Sequence, residues 1–384
     1  MKKLIILFFC YIIFFFNNNL ISDVNGKQLK IGLLAPFSGE YKEIGNSMLY
    51  STQIALNEID DKNIILIPRD SGLNEKEKLI ASIEDIKNNG AKIVIGPITN
   101  DDLKFLKKYK DMVFISPSNI NSVISDNTIS IGINLESQLL AINKFIEKQK
   151  KTKTLVLYPD DESAKLISSK IKKLELSFHK IFKYSSDPKI LTGQIEKITN
   201  YAQRKRNLES RKKILETKDD LSSKRELEIL EQRYTLGKVN FDSVIVIDYG
   251  DRLKSILTSL IFSDVNESDV LFTTVNQWFD ESLFYENSLK TIYYPSVNYK
   301  NFKKYEKQYK KLFKENPKEI GILTYDALGL IYYIWKQNKK INSTKDFIIK
   351  KKIKGKIGNF SFNNYKVLQE LDIYRLEDKK ITKF

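Results

Sequence analysis

The chain is 384 residues long and has one cysteine, one histidine and two tryptophans. Cys10 lies inside an N-terminal apolar run, behind Phe9 rather than the small residue that a lipid-attachment site wants. The rest of the chain therefore has no disulfide and no thiol nucleophile, and its stability must come from core burial. His179 has no acidic or thiol companion in its segment, so it reads as a surface or strand-edge histidine and the sequence nominates no nucleophile–histidine pair. A Gly-x-Ser-x-Gly elbow, a Gly-rich phosphate loop and zinc-ligand spacings are also missing. Asp160 and Asp161 are neighbours in sequence and should point apart, which is poor geometry for paired acid–base work. Enzymatic activity, a metal and a cofactor are not expected.

What is present begins with an export signal. Lys2 and Lys3 precede the 13-residue apolar run Leu4–Phe16, which ends at Asn17. That length fits the ~7–15 residues of a signal-peptide core and falls short of the ~20 of a membrane span. Residues 1–26 are expected to be a signal peptide, cut after Ser22 or Gly26. The remainder should be periplasmic, with no stable membrane span. The net charge is +16, but the lysines are spread along the whole chain and accompany abundant Asn, Ile and Phe, as in an AT-rich coding sequence. A nucleic-acid partner is not expected.

From Leu29 onward, short apolar strands alternate with segments of helical period, the pattern of a parallel sheet covered on both faces. The strands are expected at Lys30–Ala35, Ile64–Pro68, Lys92–Ile95 and Met112–Ile115. A helix should follow at Leu135–Lys148. The alternation then restarts at Thr154–Tyr158, Lys180–Tyr184, Ser243–Asp248, Val270–Thr273 and Thr291–Tyr294. A chain longer than the ~250–300 residues at which single cores divide should form two lobes. Lobe 1 is expected from 29–147 plus 298–342, and lobe 2 from 148–297 plus 343–384. Residues 203–237 interrupt the rhythm. They have no strand signal and are dense in charge of both signs, and Leu208, Leu215, Ile229 and Leu230 recur at roughly helical spacing. They read as a helical hairpin inserted in lobe 2, turning at Asp219–Ser223, either a solvated decoration or a docking surface.

In an open parallel α/β sheet, ligands bind beyond the carboxyl ends of the strands. In lobe 1 those positions carry Ser38, then Ile98, Thr99 and Asn100, then Ser116, Ser118 and Asn119. These loops are small, hydroxylated and poor in charge, suited to helix capping or to holding an anion. In lobe 2 the corresponding positions carry Asp161, Tyr249, Asn276 and Trp278, aromatic and polar groups of the kind that line a ligand cleft.

Three motifs, Lys30-Ile-Gly-Leu-Leu-Ala-Pro-Phe-Ser-Gly, Ile95-Gly-Pro-Ile-Thr and Ile115-Ser-Pro-Ser-Asn, resemble the leucine/isoleucine/valine-binding type of solute-binding protein. That resemblance implies a two-lobed type I periplasmic-binding-protein fold. Pro68-Arg-Asp-Ser-Gly, Arg233-Tyr-Thr-Leu-Gly behind the charged insertion, Phe241-Asp-Ser-Val and Thr324-Tyr-Asp-Ala-Leu resemble, more narrowly, the penicillin-binding-protein activators. In an amino-acid-binding member, Thr99, Ser116 and Ser118 would hold the α-carboxylate and Tyr249 would close the cleft. Such members also carry an acid after a late lobe-2 strand to hold the α-ammonium. Here that loop reads Asn276-Gln-Trp, a loss of ~1.5–3 kcal/mol of charge-assisted bonding, unless Asp161 or Asp248 substitutes. The resemblance implies one of two partners: a penicillin-binding protein that synthesises peptidoglycan, or an amino-acid-like ligand delivered to an ABC permease.

Overall fold

The computed structural model describes residues 28–384 except 73–74, 119–124, 278–288, 357, 364–365 and 378–379. The expected signal segment, Asn119 and Trp278 lie outside the described residues. The first series runs β1 (Leu29–Ala35), α1 (Lys42–Ile59), β2 (Ile64–Asp70), α2 (Lys76–Asn88), β3 (Ile93–Ile95), α3 (Asn100–Lys104), β4 (Val113–Ser116) and β5 (Thr128–Ser130). After α4 (Leu135–Lys148), the second contains β6 (Thr154–Pro159), α5 (Ala164–Lys173), β7 (Lys180–Tyr184), α6 (Pro188–Ile198), α7 (Tyr201–Glu216) and α8 (Leu221–Glu231). It continues with β8 (Ser243–Val246), α9 (Gly250–Phe262), β9 (Leu271–Thr274) and β10 (Thr291–Ser296). The chain then forms α10 (Tyr299–Phe313), α11 (Glu319–Asn338), β11 (Ile353–Lys354), β12 (Asn359–Asn363), β13 (Lys366–Gln369), β14 (Asp372–Glu377) and β15 (Lys380–Lys383).

Two sheets result, ordered β11-β12-β13-β5-β4-β3-β1-β2 and β15-β14-β10-β9-β8-β6-β7. Their centres are parallel, as in the β1–β3, β3–β4, β6–β8 and β8–β9 pairs, and antiparallel strands finish one edge of each. Helices cover both faces, so the central strands are buried on both sides: Val113–Ser116 and Ser243–Val246 are buried throughout. Gly32 in β1 allows α2 to approach, because a Cβ there would stand 2.6 Å from Ile86.

The chain passes between the sheets at 131–134, 297–298 and 370–371. Two boundaries differ from the sequence expectation. Although α4 was expected in lobe 1, it packs Leu139, Ile142 and Ile146 against Val156, Tyr158 and Ile245 of the second sheet. Its Glu136 meets Lys170 of α5 at 2.5 Å, an ion pair with both side chains nearly buried. The C-terminal segment 343–384 was expected wholly in lobe 2, but β13 pairs with β5 and carries β11 and β12 into the first sheet. Only β14 and β15 join the second sheet. A two-residue link at 370–371 separates the two halves of this tail, too short to stand out as a boundary.

α10 and α11 cover the first sheet through α1. Ser51 and Tyr305 hydroxyls meet at 2.6 Å, and the Tyr50 and Phe313 rings stack at 4.3 Å. Gly321 permits the close α1–α11 crossing, since a Cβ would stand 2.6 Å from the Ser47 and Ser51 hydroxyls. The inserted hairpin is α7 and α8, which follow α6 in the chain between β7 and β8. Its turn, 217–220, starts two residues earlier than expected and ends three earlier, because Asp220 caps α8 by accepting from the Ser223 N–H at 2.9 Å. Leu208, Leu215 and Leu230 form a small core of its own. Buried Arg204 clamps it to the body by donating to Thr199 O, Thr235 Oγ1, Asp264 O and Ser263 O.

Candidate functional site

The candidate residues stand on the carboxyl-end edges of the two sheets. On the first, Ser38 follows β1 and is drawn into a charged knot. Lys78 Nζ donates to Ser38 Oγ at 2.7 Å and pairs with Asp70 at 2.8 Å, while Asp70 accepts from the Phe37 and Gly72 N–H groups. Burial pushes the Asp70 carboxyl up, but the hydrogen bonds from Lys78, Ser38, Gly72 and Phe37 outweigh it and hold the group down to about 2.

After β3, Gly96 adopts φ +99°, and a Cβ there would lie 2.0 Å from Leu34 O. This glycine directs the chain into Ile98 and Thr99. Thr99 caps α3, accepting from Asp102 N at 3.1 Å, and Asn100 is the first residue of that helix. Ile98 packs, half-buried, against the main core. Ser116 Oγ donates to Pro97 O at 2.7 Å and accepts from Ser118 N at 3.3 Å, tying the loops after β3 and β4 together. Thr99, Ser116 and Ser118 thus share one edge, and both Ser116 and Ser118 are buried.

The second edge is dominated by Arg252, in the first turn of α9. Its Nη1 donates to Asp161 Oδ2 at 2.9 Å and its Nη2 lies 2.9 Å from Asp248 Oδ1. Asp248 also accepts from Tyr184 OH at 2.5 Å, and its side chain is fully buried. Asp161 accepts from Ser163 N–H and Oγ–H at 2.8 and 2.6 Å. Burial pushes the Asp161 carboxyl up, but the Ser163 bonds and Arg252 outweigh it and hold the carboxyl below its usual range. Burial, and then the bond to Asp248, pushes the Tyr184 phenol well above its ordinary value.

Tyr249 is half-exposed and borders a cavity of about 100 Å³ shared with Arg252, Glu136 and Lys170. The Asn276 N–H donates to Gln138 Oε1 at 2.7 Å, and Gln277 Nε2 donates to Asp248 O at 3.0 Å, so this loop turns inward. Arg252, Tyr184 and Gln138 were missed by sequence reasoning. Asp248 and Arg252 stand four apart across a helix start, a spacing that signals a pair. Tyr184 and Gln138 gave no signal, because they reach the edge only through sheet order and the 131–134 crossing.

His179 is exposed ahead of β7. Among the described residues no cluster of acids, histidines or cysteines could hold a metal, and no helix is long and apolar enough to cross a membrane.

A periplasmic-binding-protein family model matches residues 28–174. No curated protein matches the chain by sequence. Solved structures do match across nearly its whole length. The C-domain of LpoA (YraM) from Haemophilus influenzae, a regulator of PBP1A, superposes with a TM-score of 0.62 at 15% identity, over 92% of this chain and 99% of that one. LivJ from Streptococcus pneumoniae, a branched-chain amino acid binding protein in complex with isoleucine, gives 0.57 at 18% identity over 93% and 100%. A solute-binding protein from R. palustris in complex with benzoate gives 0.55 at 13% identity over 93% and 95%. The chain has the two-lobed type I periplasmic-binding-protein fold. In this fold the Thr99–Ser116–Ser118 edge belongs to the first lobe, and the Asp161–Arg252–Asp248 edge belongs to the second.

Proposed function

We propose that this chain is a non-catalytic periplasmic binding protein that regulates a peptidoglycan-synthesising penicillin-binding protein by direct contact. One observation carries the reading: Arg252 binds both Asp161 and Asp248. These are the two acids that could have replaced the α-ammonium partner missing at Asn276. An ammonium ligand would have to displace a guanidinium from a buried carboxylate, or leave two cations side by side. The LpoA C-domain, a regulator of PBP1A, has the same fold over 99% of its length and supports a protein-facing role. So does the rigidly clamped insertion, which gives the second lobe a surface outside the sheet. The N-terminal signal pattern supports export.

The test is surface-plasmon capture of the purified periplasmic region of a class A peptidoglycan synthase by this protein. Saturable binding is expected, together with stimulation of glycan polymerisation. Absence of both for every class A synthase of the same cell would refute the reading.

A second reading is a receptor that hands a small anion to an ABC permease. The hydroxylated first-lobe edge favours it, and benzoate, bound by the R. palustris protein, is an anion that needs no ammonium partner.

A further inference from the structure

We infer that the first lobe carries a second ligand site, a lysine-rimmed pocket for a multiply charged phosphate ligand, on the sheet edge opposite the candidate cleft. The pocket has a volume of about 650 Å³, and Lys107, Lys110 and Lys345 are exposed residues of its lining. It lies at the amino ends of β4 and β5, where Val113 and Ser125 form part of its wall, whereas Ser116 closes β4 at the other end. An occupant here leaves the cleft edge open.

The three ammonium groups are exposed, and among the described residues none of them pairs with a carboxylate. Asp126 is the single carboxylate of the lining, and it too makes no ion pair. Asp346, nearby in sequence, is spent on the Asn342 and Ser343 N–H groups. The rim therefore has an uncompensated excess of positive charge around a concavity, where low-dielectric walls strengthen the field. Elsewhere on the surface many lysines find acids: Lys87 meets Asp111 at 2.9 Å and Lys183 meets Asp160 at 2.8 Å.

The walls are fixed rather than loose. Thr344 Oγ1 donates to Asp126 O at 2.5 Å, joining the 342–345 segment to the β5 approach. Asn127 Nδ2 donates to Leu106 O and Tyr109 O, joining that approach to the segment bearing Lys107 and Lys110. Two stretches of chain, braced by the 125–127 segment between them, thus bring three ammonium groups to one pocket, with the Asn342 side-chain amide as a further donor. The volume falls within the ~300–1,000 Å³ of small-ligand sites. Ammonium groups are point donors without a planar fork, which suits the several oxygens of linked phosphates better than a single bidentate carboxylate. The ligand class is a diphosphate-type anion, free or at the head of a lipid.

The experiment is calorimetric titration of the full chain with inorganic diphosphate and with inorganic phosphate. Co-sedimentation with vesicles containing a polyprenyl diphosphate and with neutral vesicles runs in parallel. The variant carries Lys107→Gln, Lys110→Gln and Lys345→Gln. Its control removes the same charge from the inserted hairpin by Lys205→Gln, Lys213→Gln and Lys218→Gln. Diphosphate, or the anionic vesicles, should bind more tightly than phosphate or neutral vesicles. The pocket variant should lose about tenfold in affinity and the control should stay within about twofold. A diphosphate response assigns a soluble ligand, and a pocket-dependent response to vesicles alone assigns a lipid head group. Equal losses in both variants would reduce the effect to general polycation attraction and overturn the site, as would no binding in either assay. Circular dichroism melts of both variants establish that each is folded.

Discussion

Asp248 and Arg252 stand one helical turn apart and meet at 2.9 Å, with the carboxylate fully buried and the guanidinium half-exposed. A single cation thereby neutralises the deepest acid of the second-lobe edge, and its other nitrogen takes Asp161. Burial makes the arrangement directional. Asp248 cannot be left without its partner, whereas Arg252 can still meet a partner from solvent.

Arg252→Gln should destabilise the protein by about 1–3 kcal/mol, since it strips charge-assisted bonds from one buried and one half-buried acid. The exposure of the guanidinium keeps the loss below that of a fully buried pair. Urea unfolding measures it. A double-mutant cycle with Asp161→Asn should show coupling, and strict additivity would mean that the bridge contributes nothing.

Arg204→Ala should release the insertion. Burial lowers the Arg204 pKa from its usual value, and the guanidinium is retained because four acceptors surround it. Hydrogen exchange should quicken over 201–237 by at least about tenfold, with the central strands of both sheets unchanged. Uniform acceleration throughout the chain would show that the hairpin is not a separately anchored unit.

The knot at Ser38 sets an acid-sensitive contribution. The Asp70 carboxyl lies at about 2 when folded, against an ordinary value of 3.8, so the folded state favours its charged form. The stabilisation is present above pH ~4 and is lost as pH falls through about 2. It amounts to about 2 kcal/mol. Asp70→Asn should cost about that much at pH 7, and the gap between variant and wild type should close below pH 2. Chemical denaturation across pH checks it, and a constant gap would contradict the assignment.

Much of the fold could be read from periodicity, because buried parallel strands such as Val113–Ser116 are short apolar runs and the helices between them carry one apolar face. What escaped detection was short or non-local. β5 and β13 are short strands, and β13 enters the first sheet through β5, more than two hundred residues away in the chain. The helix α4 reads as a helix in sequence, but nothing local says which sheet its apolar face will meet. At the candidate site, the hydroxyl-rich loops nominate Thr99, Ser116 and Ser118 by chemistry, and the structure places the three on one sheet edge. The neutralisation of Asp161 by Arg252 joins residues 91 apart and became visible only with the order β8-β6 in the sheet.

The most direct measurement is calorimetric titration of the purified protein with isoleucine and leucine. With both candidate acids held by Arg252, neither amino acid should give a saturable heat at millimolar concentration. A dissociation constant in the micromolar range for either would contradict the account, because it would require an ammonium partner that the Asp161–Arg252–Asp248 arrangement does not leave free.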